Sequence, residues 1–235
     1  MAENPALDHA AVLWSAEAAD RGDRPLLVLL HGYGADERDL FGLVPYLPSE
    51  FVVAAVRAPL APPFPAPGFS WYPIGRASAS RGSGAEPQSG GLDGSDASHV
   101  TRAASQLIDW LDVVAAGAVV GLLGFSQGAA VALQAMRLQP RRFSFAVNLS
   151  GYATPGTVAG DAELADRRPP VFWGRGTRDD VIPTFLVEHT VTWLPEHAEL
   201  SGRVYQGLTH SVSEQELADV RIFLEKQLER LAPEN

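Results

Sequence analysis

Short apolar runs that alternate with helical patterns are the feature that most constrains the fold of this chain. Unbroken runs of this kind are typical of strands that are buried on both faces of a parallel sheet. They occupy residues 25–30, 51–56, 118–125, 143–150, 170–174 and, more weakly, 202–207. Between them, apolar residues recur at helical spacing over residues 36–47, 96–114, 127–138, 183–194 and 213–231. This order predicts an α/β fold, with a mostly parallel, twisted sheet and helices on both of its faces.

One long segment, residues 57–95, fits neither pattern. Its first part is rich in proline, and its second part, about residues 76–95, is rich in glycine and serine, which is typical of flexible surface. Strand-like runs of the same kind lie on both sides of it. We therefore predict a single domain over residues 1–235, with an insertion at about 57–95, rather than a domain boundary.

Composition and charge exclude several classes of partner. The formal net charge is −10, with 28 acidic and 18 basic residues, so the chain should repel nucleic acids and anionic membranes. The chain has no cysteine, no HExxH motif and no histidine cluster, so we expect no disulfide, metal or cofactor. The first residues have neither a positively charged region nor a long apolar region, so we expect no secretory signal, and the apolar stretch at 113–125 is too short to span a membrane. We expect a cytoplasmic protein without stable membrane insertion.

A serine between two glycines follows the third apolar run. Gly124-Phe125-Ser126-Gln127-Gly128 matches the pattern G-x-S-x-G, and the helical pattern begins directly after it. On a sharp strand-to-helix turn, such a serine is exposed at the edge of the sheet as a nucleophile. The backbone N–H of Gln127 would then lie at a helix N-terminus and stabilise a negative charge. The alternative is an ordinary glycine-rich turn that is capped by a serine.

A serine nucleophile needs a base and an acid, and both follow in the expected chain order. Of the six histidines, His210 is the one that lies between the last strand-like run and the C-terminal helix. Asp179 and Asp180 lie in the loop after the run at 170–174, and either carboxylate alternatively caps the next helix. We choose Asp179 as the acid, with Asp180 as the second candidate.

A second oxyanion donor is predicted at the end of the first run. His31-Gly32-Tyr33-Gly34 follows residues 25–30, and its glycines allow the backbone to bend toward the serine turn. Two backbone N–H groups that point at one oxygen stabilise a tetrahedral intermediate. We assign the second N–H to Tyr33, although a simple turn would have the same sequence.

With these residues in place, the chain resembles the phospholipase/carboxylesterase family of α/β-hydrolases, which includes acyl-protein thioesterases and small bacterial carboxylesterases. The resemblance spans about residues 25–230. The motifs that carry it are HGYG at 31–34, SWY at 70–72, GFSQG at 124–128, GTRDDVIP at 176–183 and TH at 209–210.

The resemblance implies an α/β-hydrolase fold with a minimal lid, and it implies roles for individual residues. The implied nucleophile is Ser126, the acid Asp179 and the base His210. The implied oxyanion donors are the backbone N–H groups of Tyr33 and Gln127. The implied substrate-pocket residues are Trp71 and Tyr72.

Three functions are compatible with these residues. The first is a serine carboxylesterase that cleaves short- to medium-chain esters of small molecules through an acyl-enzyme on Ser126. The second keeps the same site but acts on long acyl chains, as an acyl-protein thioesterase or lysophospholipase. The third is an inactive hydrolase that binds a ligand, although such proteins usually lack a member of the triad. The expected oligomeric state is a monomer or a homodimer.

Overall fold

The computed structural model describes residues 6–63, 65–74 and 96–232. Among these residues, seven strands form one sheet. They are β1 (Leu13–Trp14), β2 (Leu26–Leu30), β3 (Val52–Val56), β4 (Val120–Phe125), β5 (Phe145–Leu149), β6 (Pro170–Gly176) and β7 (Glu199–Tyr205). The α-helices are α1 (Glu37–Phe41), α2 (Asp96–Val114), α3 (Gln127–Leu138), α4 (Asp161–Arg167), α5 (Thr184–His197) and α6 (Glu214–Leu231).

The sheet has the order β1-β3-β2-β4-β5-β6-β7, and all its pairs are parallel except β1 with β3. Every residue of β2, β3 and β5 is buried, as the unbroken apolar runs predicted. The carboxyl ends of the parallel strands therefore meet at one edge, where an α/β fold places its reactive loops.

Helices cover both faces of the sheet, which confirms the predicted layers. One apolar cluster packs α1 and α6 against one face, through Leu40, Phe223 and Leu224. A larger cluster packs α2 and α3, with parts of α4 and α5, against the other face. Both faces are thus shielded from water, which is the arrangement that continuous apolar strands require.

Two predicted features differ from the structure near the N-terminus. The helix predicted over 36–47 is only the five-residue α1, followed by a 3₁₀ turn at Val44–Tyr46, because Pro45 lacks the N–H that a longer helix needs. The antiparallel edge strand β1 was missed, since two residues are too few to show a pattern. Ser15 completes this edge by donating its N–H to Val53 O and accepting the N–H of Val53 on Oγ.

The insertion is described only in its proline-rich part. There, Leu60 pairs with Ser70 and Phe69 pairs with Ala35, so the segment folds back across the carboxyl end of β2. The predicted flexible surface at 76–95 lies outside the described residues. The single-domain boundary at 1–235 remains a prediction.

No helix in the described part of the chain is both long enough and apolar enough to cross a membrane.

Candidate active site

Ser126 lies on a strained turn between β4 and α3. Its φ of 52° and ψ of −114° define a backbone conformation that residues other than glycine rarely adopt. Hydrogen bonds stabilise this strained conformation. Ser126 N–H donates to Leu149 O at 2.8 Å, and Ser126 O accepts the N–H groups of Ala129 and Ala130, both at 3.1 Å. The turn places Ser126 at the carboxyl edge of the sheet, where it lines a cavity.

The two glycines of the motif allow the strand, the turn and the helix to approach each other. A Cβ atom on Gly124 would lie 2.4 Å from Ala129 N, and one on Gly128 would lie 2.0 Å from Leu30 O. Both contacts are with backbone atoms, which cannot rotate away as a side chain can. The glycines are therefore required by close packing rather than by positive φ.

We expect Gly128→Ala to lower the free energy of unfolding by about 3 kcal/mol, because its methyl group overlaps the carbonyl of Leu30. The measurement is urea unfolding followed by circular dichroism. Gly202→Ala is the matched control, since its Cβ would be 3.9 Å from the nearest atom, and we expect it to change stability by less than about 1 kcal/mol. Equal stability of the two variants would contradict the packing argument.

His210 and Asp179 form a hydrogen-bonded pair beside this turn. Nδ1 of His210 donates to Oδ2 of Asp179 at 2.8 Å, and the side chains are only 15% and 8% exposed. Oδ1 of Asp179 accepts the N–H of Val181 at 3.0 Å, which fixes the carboxylate. Asp180, the second candidate for the acid, is exposed to solvent. The ring of Phe125, next to Ser126, lies 4.9 Å from the His210 ring.

One cavity of about 300 Å³ brings the candidate residues together. Ser126 and His210 line it with Tyr33 and Gln127. Its other walls are mostly apolar and include Ile74, Val181, Ile182 and Pro183. Because Nδ1 of His210 is bonded to Asp179, the ring's other nitrogen, Nε2, is the one available toward the cavity.

The N–H groups of Tyr33 and Gln127 have no hydrogen-bond acceptor among the described residues. By contrast, the neighbouring N–H of Gly34 donates to Phe69 O at 2.8 Å. A backbone N–H that lacks an acceptor beside a cavity is a donor that is available to a ligand. Their assignment as oxyanion donors remains a prediction.

His31 stabilises the loop that carries Tyr33. Its Nε2 accepts the N–H of Ala58 at 3.0 Å, so its Nδ1 carries the proton and donates to Gly32 O at 2.7 Å. Burial lowers the pKa of His31 and keeps the ring neutral. The contacts of this histidine are therefore structural.

The structure separates the two predicted pocket residues. Tyr72 lines the cavity, and its hydroxyl lies 2.8 Å from the hydroxyl of Tyr152. Trp71 is not among the residues that line the cavity; its side chain is fully buried, and its indole N–H donates to His31 O at 2.8 Å. Tyr152 was missed, although its place just after the carboxyl end of β5 is a signal that could have identified it.

The described residues contain no group of three or more histidine, aspartate or glutamate side chains that is placed to hold a metal ion.

Glu216 is a buried acid at the start of α6. Its side chain is fully buried against Gly174, and neither carboxyl oxygen has a hydrogen-bond partner in the described part of the chain. Burial, with a smaller effect from the charge of Asp219, raises the pKa of Glu216 to about 7.

Because this carboxyl has a higher pKa in the folded chain, the stability that it contributes is lost as pH rises from about 4.5 to about 7. We therefore expect Glu216→Gln to be more stable than the wild type by about 3 kcal/mol at pH 8 and by little at pH 4.5. Urea unfolding across this pH range measures the difference. A difference that is independent of pH would contradict the assignment.

The chain is similar in sequence to a named enzyme. It is 33% identical over 109 residues to acyl-protein thioesterase 1 of Saccharomyces cerevisiae, a match that covers 45% of this chain and 48% of that protein. The chain thus spans about half the length of the curated relatives that it matches.

Solved structures match over a larger part of the chain. A carboxylesterase from Mesorhizobium loti superposes with a TM-score of 0.70 at 22% identity, covering 95% of this chain and 99% of that one. The esterase PE8 superposes with a TM-score of 0.67 at 25% identity, covering 86% and 92%. These likenesses confirm the predicted α/β-hydrolase fold.

Residues 14–228, which include every residue of the candidate site, match the sequence profile described as phospholipase/carboxylesterase. The chain therefore belongs to the phospholipase/carboxylesterase family of α/β-hydrolases.

Proposed function

We propose that this protein is a serine ester hydrolase that cleaves short- to medium-chain carboxylic esters of small molecules. The observation that carries this proposal is His210, which is bonded to Asp179 at 2.8 Å and lines the same cavity as Ser126 on its strained turn. A histidine whose Nδ1 is held by a carboxylate acts through Nε2 as a base toward a serine hydroxyl.

In the acylation step, Oγ of Ser126 attacks the ester carbonyl carbon while Nε2 of His210 takes the hydroxyl proton. The carbonyl oxygen becomes an oxyanion that accepts the N–H groups of Tyr33 and Gln127. The intermediate collapses, the C–O bond to the alcohol breaks, and the imidazolium of His210 gives its proton to the leaving alcohol. Asp179 stays ionised and stabilises the imidazolium.

In the deacylation step, water attacks the acyl-enzyme, and His210 again serves as the base. The second tetrahedral intermediate releases the carboxylic acid, and Ser126 Oγ recovers its proton from His210. The two steps consume one water molecule for each ester cleaved. The ester and the water supply all atoms of the products, so the reaction requires no cofactor.

The size of the cavity favours short or medium acyl groups. Its volume of about 300 Å³ lies at the lower end of the range for small-molecule sites. Its apolar walls suit a hydrocarbon chain. The curated relatives named acyl-protein thioesterase 1 favour the second candidate, hydrolysis of long-chain thioesters or lysophospholipids at the same serine.

A series of p-nitrophenyl esters with acyl chains of different length separates the two candidates. We expect kcat/KM to peak at short to medium chains and to fall for palmitoyl esters and thioesters. A maximum at long chains would instead support the thioesterase or lysophospholipase.

Labelling with a fluorophosphonate probe tests whether the site is active at all. We expect the probe to label the folded protein on Ser126. We expect no label on protein that is unfolded by acid before the probe is added. Folded protein that takes up no label would favour an inactive binding protein. Cytoplasmic location and the choice between monomer and homodimer remain predictions.

A further inference from the structure

The side chain of Gln127 makes a set of hydrogen bonds that the proposed chemistry does not use. Its amide is buried, with only 3% of the residue exposed. Oε1 accepts the backbone N–H of Trp71 at 2.8 Å, and Nε2 donates to Tyr72 O at 2.8 Å. The hydroxyl of Ser70 lies 3.2 Å from Nε2 and donates to Tyr72 O at 2.6 Å. One amide thus holds the backbone of residues 70–72 through both a donor and an acceptor.

The same segment is joined to the loop that carries Tyr33. Gly34 donates its N–H to Phe69 O, and Phe69 donates its N–H to Ala35 O, both at 2.8 Å. The buried indole of Trp71 donates to His31 O at 2.8 Å. Residues 69–72 are therefore hydrogen-bonded on one side to the loop at 31–35 and on the other to the Gln127 side chain.

This arrangement connects the two candidate oxyanion donors. The N–H of Gln127 is one donor, and the side chain of the same residue holds the segment that positions the other donor, the N–H of Tyr33. The N–H of Gln127 lies at the start of α3 and that of Tyr33 lies in the loop after β2, so their separation depends on the contacts that join these two elements. Stabilisation of an oxyanion requires both donors within about 3 Å of one point, and displacement by about 1 Å costs large factors in rate.

We propose that the side-chain amide of Gln127 is a positioning residue that fixes the distance between the two oxyanion donors through residues 70–72. This inference rests on the proposed function of the site. It also assigns a role to the SWY motif, which connects the Gln127 side chain with the loop at 31–35, while Tyr72 alone of the three lines the cavity.

The chemistry of the contact explains why the residue is glutamine. One end of the side chain must accept from an N–H, and the other must donate to a carbonyl. An ionised glutamate offers acceptors only, so one carboxylate oxygen would face Tyr72 O at about hydrogen-bond distance and repel it. Methionine fills a similar volume and can do neither.

Gln127→Met tests the proposal. We expect kcat for p-nitrophenyl butyrate to fall between about 10- and 100-fold, with KM nearly unchanged, because only the charged transition state needs both donors. The affinity for a trifluoromethyl ketone, which forms an oxyanion on the serine, should fall by the same factor as kcat/KM. Gln227→Met is the matched control, since Gln227 is also a buried helical glutamine, with Nε2 donating to Phe223 O. We expect its kcat and inhibitor affinity to equal those of the wild type.

Gln127→Glu adds a readout that a merely structural role would not change. A protonated carboxyl reproduces both hydrogen bonds of the amide, whereas an ionised one does not. Burial beside Tyr72 O raises the pKa of the introduced carboxyl. We therefore expect the ratio of variant to wild-type kcat/KM to fall by at least about tenfold as pH rises from about 5 to about 8.

Three outcomes decide the matter. The inference is supported if Gln127→Met loses kcat and inhibitor affinity together and the Gln127→Glu ratio depends on pH. It is overturned if folded Gln127→Met keeps the wild-type kcat and inhibitor affinity, or if the Gln127→Glu ratio is constant with pH. A wild-type protein that hydrolyses no ester of any chain length would refute the proposed function itself, and this inference with it.

Discussion

Ser126→Ala is expected to lower kcat for p-nitrophenyl butyrate by about 10⁵- to 10⁶-fold, to the level that binding and the oxyanion donors alone support. Without Oγ no acyl-enzyme forms, and the alanine offers no other nucleophile at this point of the cavity. Spectrophotometric release of p-nitrophenol measures the effect, and labelling by the fluorophosphonate should disappear at the same time.

Ser150→Ala is the matched control for this substitution. Ser150 also has positive φ, at 49°, and is buried at the end of the neighbouring strand β5, but it does not line the cavity. Since it shares the backbone strain of Ser126 without its place in the site, we expect its kcat to stay close to the wild-type value. Ser126→Ala protein that is folded and retains more than a hundredth of the wild-type rate would refute the nucleophile.

Asp179→Asn should lower kcat by about 10⁴-fold while the fold stays intact. The amide keeps the shape of the carboxylate, but its NH₂ group cannot accept the Nδ1 proton of His210. The ring then takes the wrong tautomer, and the imidazolium loses the negative charge that stabilises it. The measurement is kcat against pH with p-nitrophenyl butyrate, accompanied by urea unfolding to show that stability is retained.

Asp180→Asn separates the two aspartates that the sequence left as candidates. Asp180 is exposed, whereas Asp179 is bonded to His210 at 2.8 Å. We expect Asp180→Asn to keep kcat within about threefold of the wild type, since exposed substitutions away from a site change little. The reverse pattern, with a large loss at Asp180 and none at Asp179, would exchange their roles.

Local patterns predicted most of the architecture because they report burial directly. Continuous apolar runs identified six of the strands, and helical spacing identified α2 and α3 with the bounds that the structure has. The helix predicted over 36–47 was wrong because apolar periodicity does not reveal that Pro45 removes a backbone hydrogen bond of the helix. The short strand β1 and the seven-residue helix α4 were missed since few residues carry little periodic signal.

The sequence by itself determined the turn at Ser126, because the spacing of Gly124 and Gly128 is a local requirement of strand-to-helix packing. It also determined the chain order of Ser126, Asp179 and His210. Only the tertiary structure decided what depends on residues far apart in the chain. In it, Asp179 is the aspartate that bonds His210, Trp71 lies in the core and not in the cavity, and the Gln127 amide is hydrogen-bonded to residues 70–72. The physical reason is that hydrogen bonds are directional and short, so they form according to position in space, which periodicity along the chain does not encode.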